Sequence, residues 1–134
     1  MESPNLQATL LVLRTGQLFY QFAHHTVATC AFFADHAFFG AAYTAYAEAF
    51  DQVVERALGL GHKPDLADLN IAAAKMAAEI SDGNLFTHAL ELEQALLKVL
   101  AEAQGISTGT DNLTAGIADA VEARIYQLRQ RQVG

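Results

Sequence analysis

The sequence predicts an all-α fold, four long helices packed as a bundle with a short extra helix in the connection between the second and third. Three observations predict it. Proline occurs only at Pro4 and Pro64, so no long element is interrupted by a residue that lacks an amide donor. Alanine is abundant from Ala23 onward, which keeps helix propensity high. Apolar residues return at alternating steps of three and four, the period of a helix rather than of a strand.

The elements follow in order. Ser3 before Pro4 reads as an N-cap followed by a first-turn proline. From there Leu6, Leu10, Leu13, Gln17, Tyr20, His24 and Val27 mark a first helix from about Pro4 to about Thr29. A second starts near Phe33 and runs through Phe39, Tyr43, Tyr46, Phe50, Val53, Val54 and Leu58 until Gly59, Gly61 and Pro64 stop it. Almost no loop joins these two helices, so they must fold back antiparallel. Asp65 to about Lys75 is a short amphipathic helix, and Ser81-Asp82-Gly83-Asn84 is a break. The third long helix covers about Leu85 to Gln104 with Leu85, Leu92, Leu96, Val99 and Leu100 inward. The fourth covers about Asp111 to Gln130 with Leu113, Ile117, Val121, Ile125 and Leu128 inward. Arg131 to Gly134 is a tail. A small helix within a long middle connection is how ferritin-like bundles cross over.

At 134 residues, residues 1–134 are expected to form one domain. Hydrophobic residues make up 52% against 17% charged, which excludes a disordered chain. The uncharged run from Thr15 to Ala34 has the length of a membrane span. It contains His24, His25, Gln17, Gln21 and three threonines and no basic cluster flanks it, so a soluble protein is expected. Met1-Glu2 lacks a signal peptide's basic region, and cytoplasm is the expected location. A net charge of −7 opposes nucleic-acid binding. Cys30, the single cysteine, has no internal disulfide partner and is expected to be a small buried hydrophobe.

The chemistry concentrates between residues 24 and 55. Asp51 and Glu55 are four apart and project from one helix face, as two carboxylates holding a hard or borderline metal must. His24, near the end of the first helix, and His36, near the start of the second, are brought together by the antiparallel turn. From His36 to Asp51 is about 22 Å of helix, more than side chains span. The two pairs could meet if two subunits packed these helices antiparallel about a two-fold axis, giving two identical sites per dimer.

His24, His36 twelve positions on, Asp51 fifteen further, and the run Asp51-Gln52-Val53-Val54-Glu55-Arg56-Ala57-Leu58-Gly59-Leu60-Gly61 together resemble the signature of the Dps family of ferritin-like mini-ferritins. Asn112, Glu122 and Tyr126 match the family's last-helix pattern more loosely. The resemblance implies a ferroxidase centre of His24, His36, Asp51 and Glu55 at a dimer interface, catalytic and metal-binding at once, in a dodecameric homo-oligomer. It further implies that Fe(II) is oxidised to Fe(III), with hydrogen peroxide preferred over oxygen, and stored as ferric mineral, zinc being a possible competitor. Asp111 lies where such shells have an acid-lined pore.

The sequence departs from the family at two positions: His25 replaces the usual tryptophan, and Gly40 replaces an acid four residues after the second histidine. His25 and Glu48 are possible additional ligands. The plainer reading of His25 is helix-face filling, of Glu48 a solvated acid, and of Asp35 and Asp111 helix caps. His62 and His88 have no acid at useful spacing, and Tyr43, Tyr46 and the phenylalanines read as packing. No histidine has a glutamate three residues before it, unlike the Glu-x-x-His of classical diiron carboxylate proteins. Two other functions stay open: a DNA-compacting Dps, against which the lack of a basic residue in Met1-Glu2-Ser3-Pro4-Asn5 counts, and a structural metal-binding shell without turnover.

Overall fold

In the computed structural model, which describes residues 5–133, the chain forms five helices and, among those residues, no strand. They are α1 (Gln7–Thr26), α2 (Phe32–Gly59), α3 (Leu66–Ile80), α4 (Leu85–Glu102) and α5 (Thr108–Val133). The expected cap at Ser3 and Pro4 lies outside the described residues. The long helices α1, α2, α4 and α5 make the bundle: α1 packs on α2 and α4, and α4 on α5, while the short α3 lies against α1. No described helix is long and apolar enough to cross a membrane.

The three-and-four spacing becomes the core directly. Leu10, Leu13 and Ala23 of α1, Phe39 and Val53 of α2, Leu96 and Leu100 of α4, and Val121 and Leu128 of α5 are all buried. Each of the larger side chains contributes about 1.5–3 kcal/mol of transfer free energy. Where α1 meets α2, a Cβ at Gly16 would fall 2.2 Å from Tyr46 Cε2. Glycine is what lets the Tyr46 ring reach the bundle interior.

Several ends differ from expectation, each for a local reason. Leu6 flanks α1 instead of Ser3, and Asn5 Oδ1 accepts the Gln7 amide at 2.9 Å. That helix stops at Thr26 because Val27 is extended, with ψ of 133°. Asp65 caps α3 rather than starting it, accepting from the Asp68 amide, and α3 runs five residues past Lys75 to Ile80. Asn84, in the expected break, caps α4 by accepting from the Phe86 and Thr87 amides. Asp111 does not start the last helix. It lies in the first turn of α5 and accepts the Gly105 amide at 2.9 Å, pinning the preceding loop. Arg131 to Val133 are helical rather than a tail.

Candidate metal centre

α1 ends with four carbonyls that have no helical partner, and the carbonyl of His24 is one of them. His36, in the second turn of α2, supplies the donor: its Nδ1 lies 2.7 Å from His24 O. The reverse bond also forms, with His24 Nδ1 2.8 Å from His36 O. A carbonyl only accepts, so both Nδ1 atoms carry their protons. In the neutral rings each Nε2 then holds a lone pair, and among the described residues neither Nε2 has a hydrogen-bond partner. The rings stack at 3.9 Å and 17°, and Phe32 stacks on the far side of His36 at 5.0 Å and 19°. A histidine donating one ring N–H to a backbone carbonyl while presenting the other nitrogen is the usual arrangement of a metal-ligating imidazole.

The local fold depends on Gly40. To reach the His36 carbonyl, the His24 ring lies against the next turn of α2, where a Cβ at residue 40 would stand 2.8 Å from both His24 Cε1 and Nδ1. A side chain at this position would force the His24 ring out of the place from which it donates to the His36 carbonyl.

The other sequence-predicted residues fall as follows. Asp51 and Glu55 are exposed on one stretch of α2, down the helix from the histidines. His25 is exposed, its ring 5.3 Å from that of His24 and tilted by 48°. Glu48 is exposed at the rim of a groove of about 370 Å³ between α2 and α5, with Gln52 and Asn112 beside it and Tyr46 and Arg124 lining it. Glu122 and Tyr126 are exposed on α5. Among the described residues of one protomer, no three His, Cys, Asp or Glu side chains converge on a point that would hold a metal. The structure thus brings His24 and His36 together and leaves the carboxylate pair apart from them.

Three smaller expectations are corrected. Cys30 is exposed rather than buried, because it sits in the α1–α2 connection. His88 does have an acid near it, Glu91, at 3.9 Å one turn along α4. Asp35 is not a cap: Ala31 precedes α2 without a side-chain bond, and Asp35 instead accepts Nε and Nη2 of Arg131, both at 2.9 Å, together with the Thr29 hydroxyl. The Arg131 hydrogen bonds hold the Asp35 carboxyl below its ordinary range, against a smaller opposing effect of burial.

A polar cluster in the bundle core escaped the sequence reading. Glu93 of α4 is fully buried and accepts Nε of Arg124 at 3.0 and 2.9 Å and the Tyr20 hydroxyl at 2.6 Å. Burial pushes the Glu93 carboxyl up; Arg124 and the two tyrosines pull it back only in part. The guanidinium of Arg124 stands 5.0 Å over the Tyr46 ring. The Tyr46 hydroxyl is near enough to both charges to be influenced by them, yet it forms no hydrogen bond of good geometry. Burial and then the Glu93 charge drive both phenols well above their ordinary range. The signal was present in the pattern, since Glu93 and Arg124 occupy positions on otherwise apolar stripes, beside Leu92 and Leu96 and beside Val121 and Leu128.

The family model described as the ferritin-like domain matches residues 5–125. A search of curated proteins finds no match.

Proposed function

Because the chain belongs to the ferritin-like family, we propose that it is a mini-ferritin of the Dps kind, oxidising Fe(II) at an inter-subunit centre and storing the ferric product inside a hollow shell. The observation that carries this reading is the reciprocal His24/His36 hydrogen bonding, which leaves two imidazole nitrogens without a partner among the described residues. Imidazole suits Fe(II), and carboxylates suit the harder Fe(III). In this reading the partner subunit's Asp51 and Glu55 complete the ligand set across a two-fold axis. Phe22, Phe32 and Phe33, exposed around the histidines, are the apolar surface such a partner would cover.

Iron is the substrate. Two Fe(II) ions each give one electron to one hydrogen peroxide, which takes two protons and leaves as two waters. Peroxide and Fe(II) are consumed together, which limits hydroxyl-radical formation. His24 and His36 bind the reduced ion, and Asp51 and Glu55 stabilise the charge that develops on oxidation. Gly40 leaves the centre one carboxylate short of the family pattern, so the proposed set is two imidazoles and two carboxylates, with His25 and Glu48 outside it. We place the protein in the cytoplasm as a homo-oligomer of two-fold dimers, a dodecamer by resemblance.

The test is Fe(II) oxidation by stoichiometric peroxide, followed by ferric absorbance on protein whose assembly mass is measured in the same preparation. The parent is expected to oxidise iron rapidly and keep it co-eluting with a large shell. Asp51→Ala with Glu55→Ala is expected to slow oxidation to the rate in buffer. A double variant as fast as the parent overturns the proposal. A parent that binds zinc but leaves Fe(II) unoxidised moves the reading to a metal-binding shell.

A further inference from the structure

The histidine pair sits at a corner built by four parts of the chain. Asp35, the residue before His36, is buried on the first turn of α2. Its two oxygens are taken by Arg131 from the last turn of α5 and by Thr29 from the α1–α2 connection. The Arg131 guanidinium also lies 4.5 Å over the ring of Phe86, at the start of α4, and Phe86 packs on Phe39 of α2 with ring centres 5.2 Å apart. One side chain thus ties the α1–α2 corner to the far ends of α4 and α5.

We propose that Arg131 is a positioning residue for the metal centre: through Asp35 and Thr29 it fixes the approach of α2 to the end of α1, and with it the Nδ1–H tautomer and Nε2 direction of His24 and His36. The physical reason is the burial of Asp35. Without Arg131 its carboxylate is left covered and unpaired, a costly state that the first turn of α2 relieves by turning toward water. His36 is the next residue and moves with it, and the two reciprocal bonds tolerate little movement, because at 2.7 and 2.8 Å they lie near the short end of hydrogen-bond geometry. Each ring donates to the other's backbone, so a shift of the first turns of α2 against the end of α1 strains both bonds at once. The metal role of the pair rests on the function proposed above, whereas the tautomer role stands without it.

The experiment is nitrogen-15 NMR of the histidine side chains in the full-length protein free of metal, paired with a Zn(II) titration, zinc being chosen because it undergoes no oxidation. The parent is expected to show a single Nδ1–H tautomer at His24 and His36. Arg131→Met is expected to mix the tautomers at both and to weaken Zn(II) binding about 10–100-fold, the usual effect of removing an outer-shell partner. Arg131→Lys keeps the charge without the paired donors and is expected to fall between them. Asp35→Asn with Arg131→Met is expected to be no worse than Arg131→Met. A melting temperature that drops in Arg131→Met while the tautomers and Zn(II) affinity stay parental overturns the proposal and leaves only a helix tie. Parent protein that shows the single tautomer yet binds no Zn(II) overturns the metal reading instead, and the tautomer shift still decides the role of Arg131.

Discussion

Gly40→Ala tests the centre at its tightest contact. The added Cβ would stand 2.8 Å from His24 Cε1 and Nδ1, where ordinary contact is 3.4–4 Å, so the ring must retreat by most of an ångström. The bond from His24 Nδ1 to His36 O, now 2.8 Å, then exceeds hydrogen-bond reach. Losing it costs about 1 kcal/mol, and forcing a methyl into a filled space costs about 1–3 kcal/mol. Against this, alanine in a helix interior is better than glycine by about 0.5–1 kcal/mol. The sum is a destabilisation of about 1–3 kcal/mol, which for a chain of this size lowers the melting temperature by roughly 3–10 °C. Differential scanning calorimetry measures it, and the His24 nitrogen-15 shifts report the ring. Gly40→Asp carries the same clash, so restoring the family's acid is expected to weaken Zn(II) binding instead of adding a second equivalent. An alanine variant that melts at or above the parent with the His24 tautomer unchanged refutes the reasoning, as does an aspartate variant that binds a second zinc.

Other outcomes follow from the buried charges. Arg124→Met leaves the Glu93 carboxylate without its counter-charge in the core, and an unfolding free energy lower by about 3–5 kcal/mol is expected from urea titration. Glu93→Leu combined with Arg124→Met is expected to recover most of that loss, because neither charge is then stranded. The two shifted carboxyls oppose each other in pH dependence. Glu93, raised above its ordinary 4.5, makes the folded chain hold more protons than the unfolded one just above that pH, so its contribution declines as pH rises through the raised value. Asp35, lowered below 3.8, contributes fully above that pH and is lost as pH falls through its folded value. Urea midpoints across pH should lose the upper slope in Glu93→Gln and the lower one in Asp35→Asn; unchanged slopes in both variants would contradict the assignment.

What the sequence decided by itself was periodic or local. Apolar steps of three and four placed all five helices, since a stripe must be buried whatever it packs against. The Ser81-Asp82-Gly83-Asn84 break was legible because glycine and small polar residues favour turns through chemistry within a few residues, whereas the Asn84 cap appears in the structure. The convergence of His24 and His36 was legible for the same reason: a short turn between antiparallel helices leaves little choice about which residues face each other. Tertiary structure alone decided what those residues do there. Gly40, by spacing only a missing acid, is the space the His24 ring occupies. Asp35, placed by sequence as a cap, pairs with Arg131 from the other end of the chain, 96 residues away. Glu93 and Arg124 interrupt two apolar stripes separately, and nothing along the chain shows that they meet. Local rules fix which face of a helix turns inward, but the partner of a buried charge depends on which helices become neighbours, and that is settled only when the bundle closes.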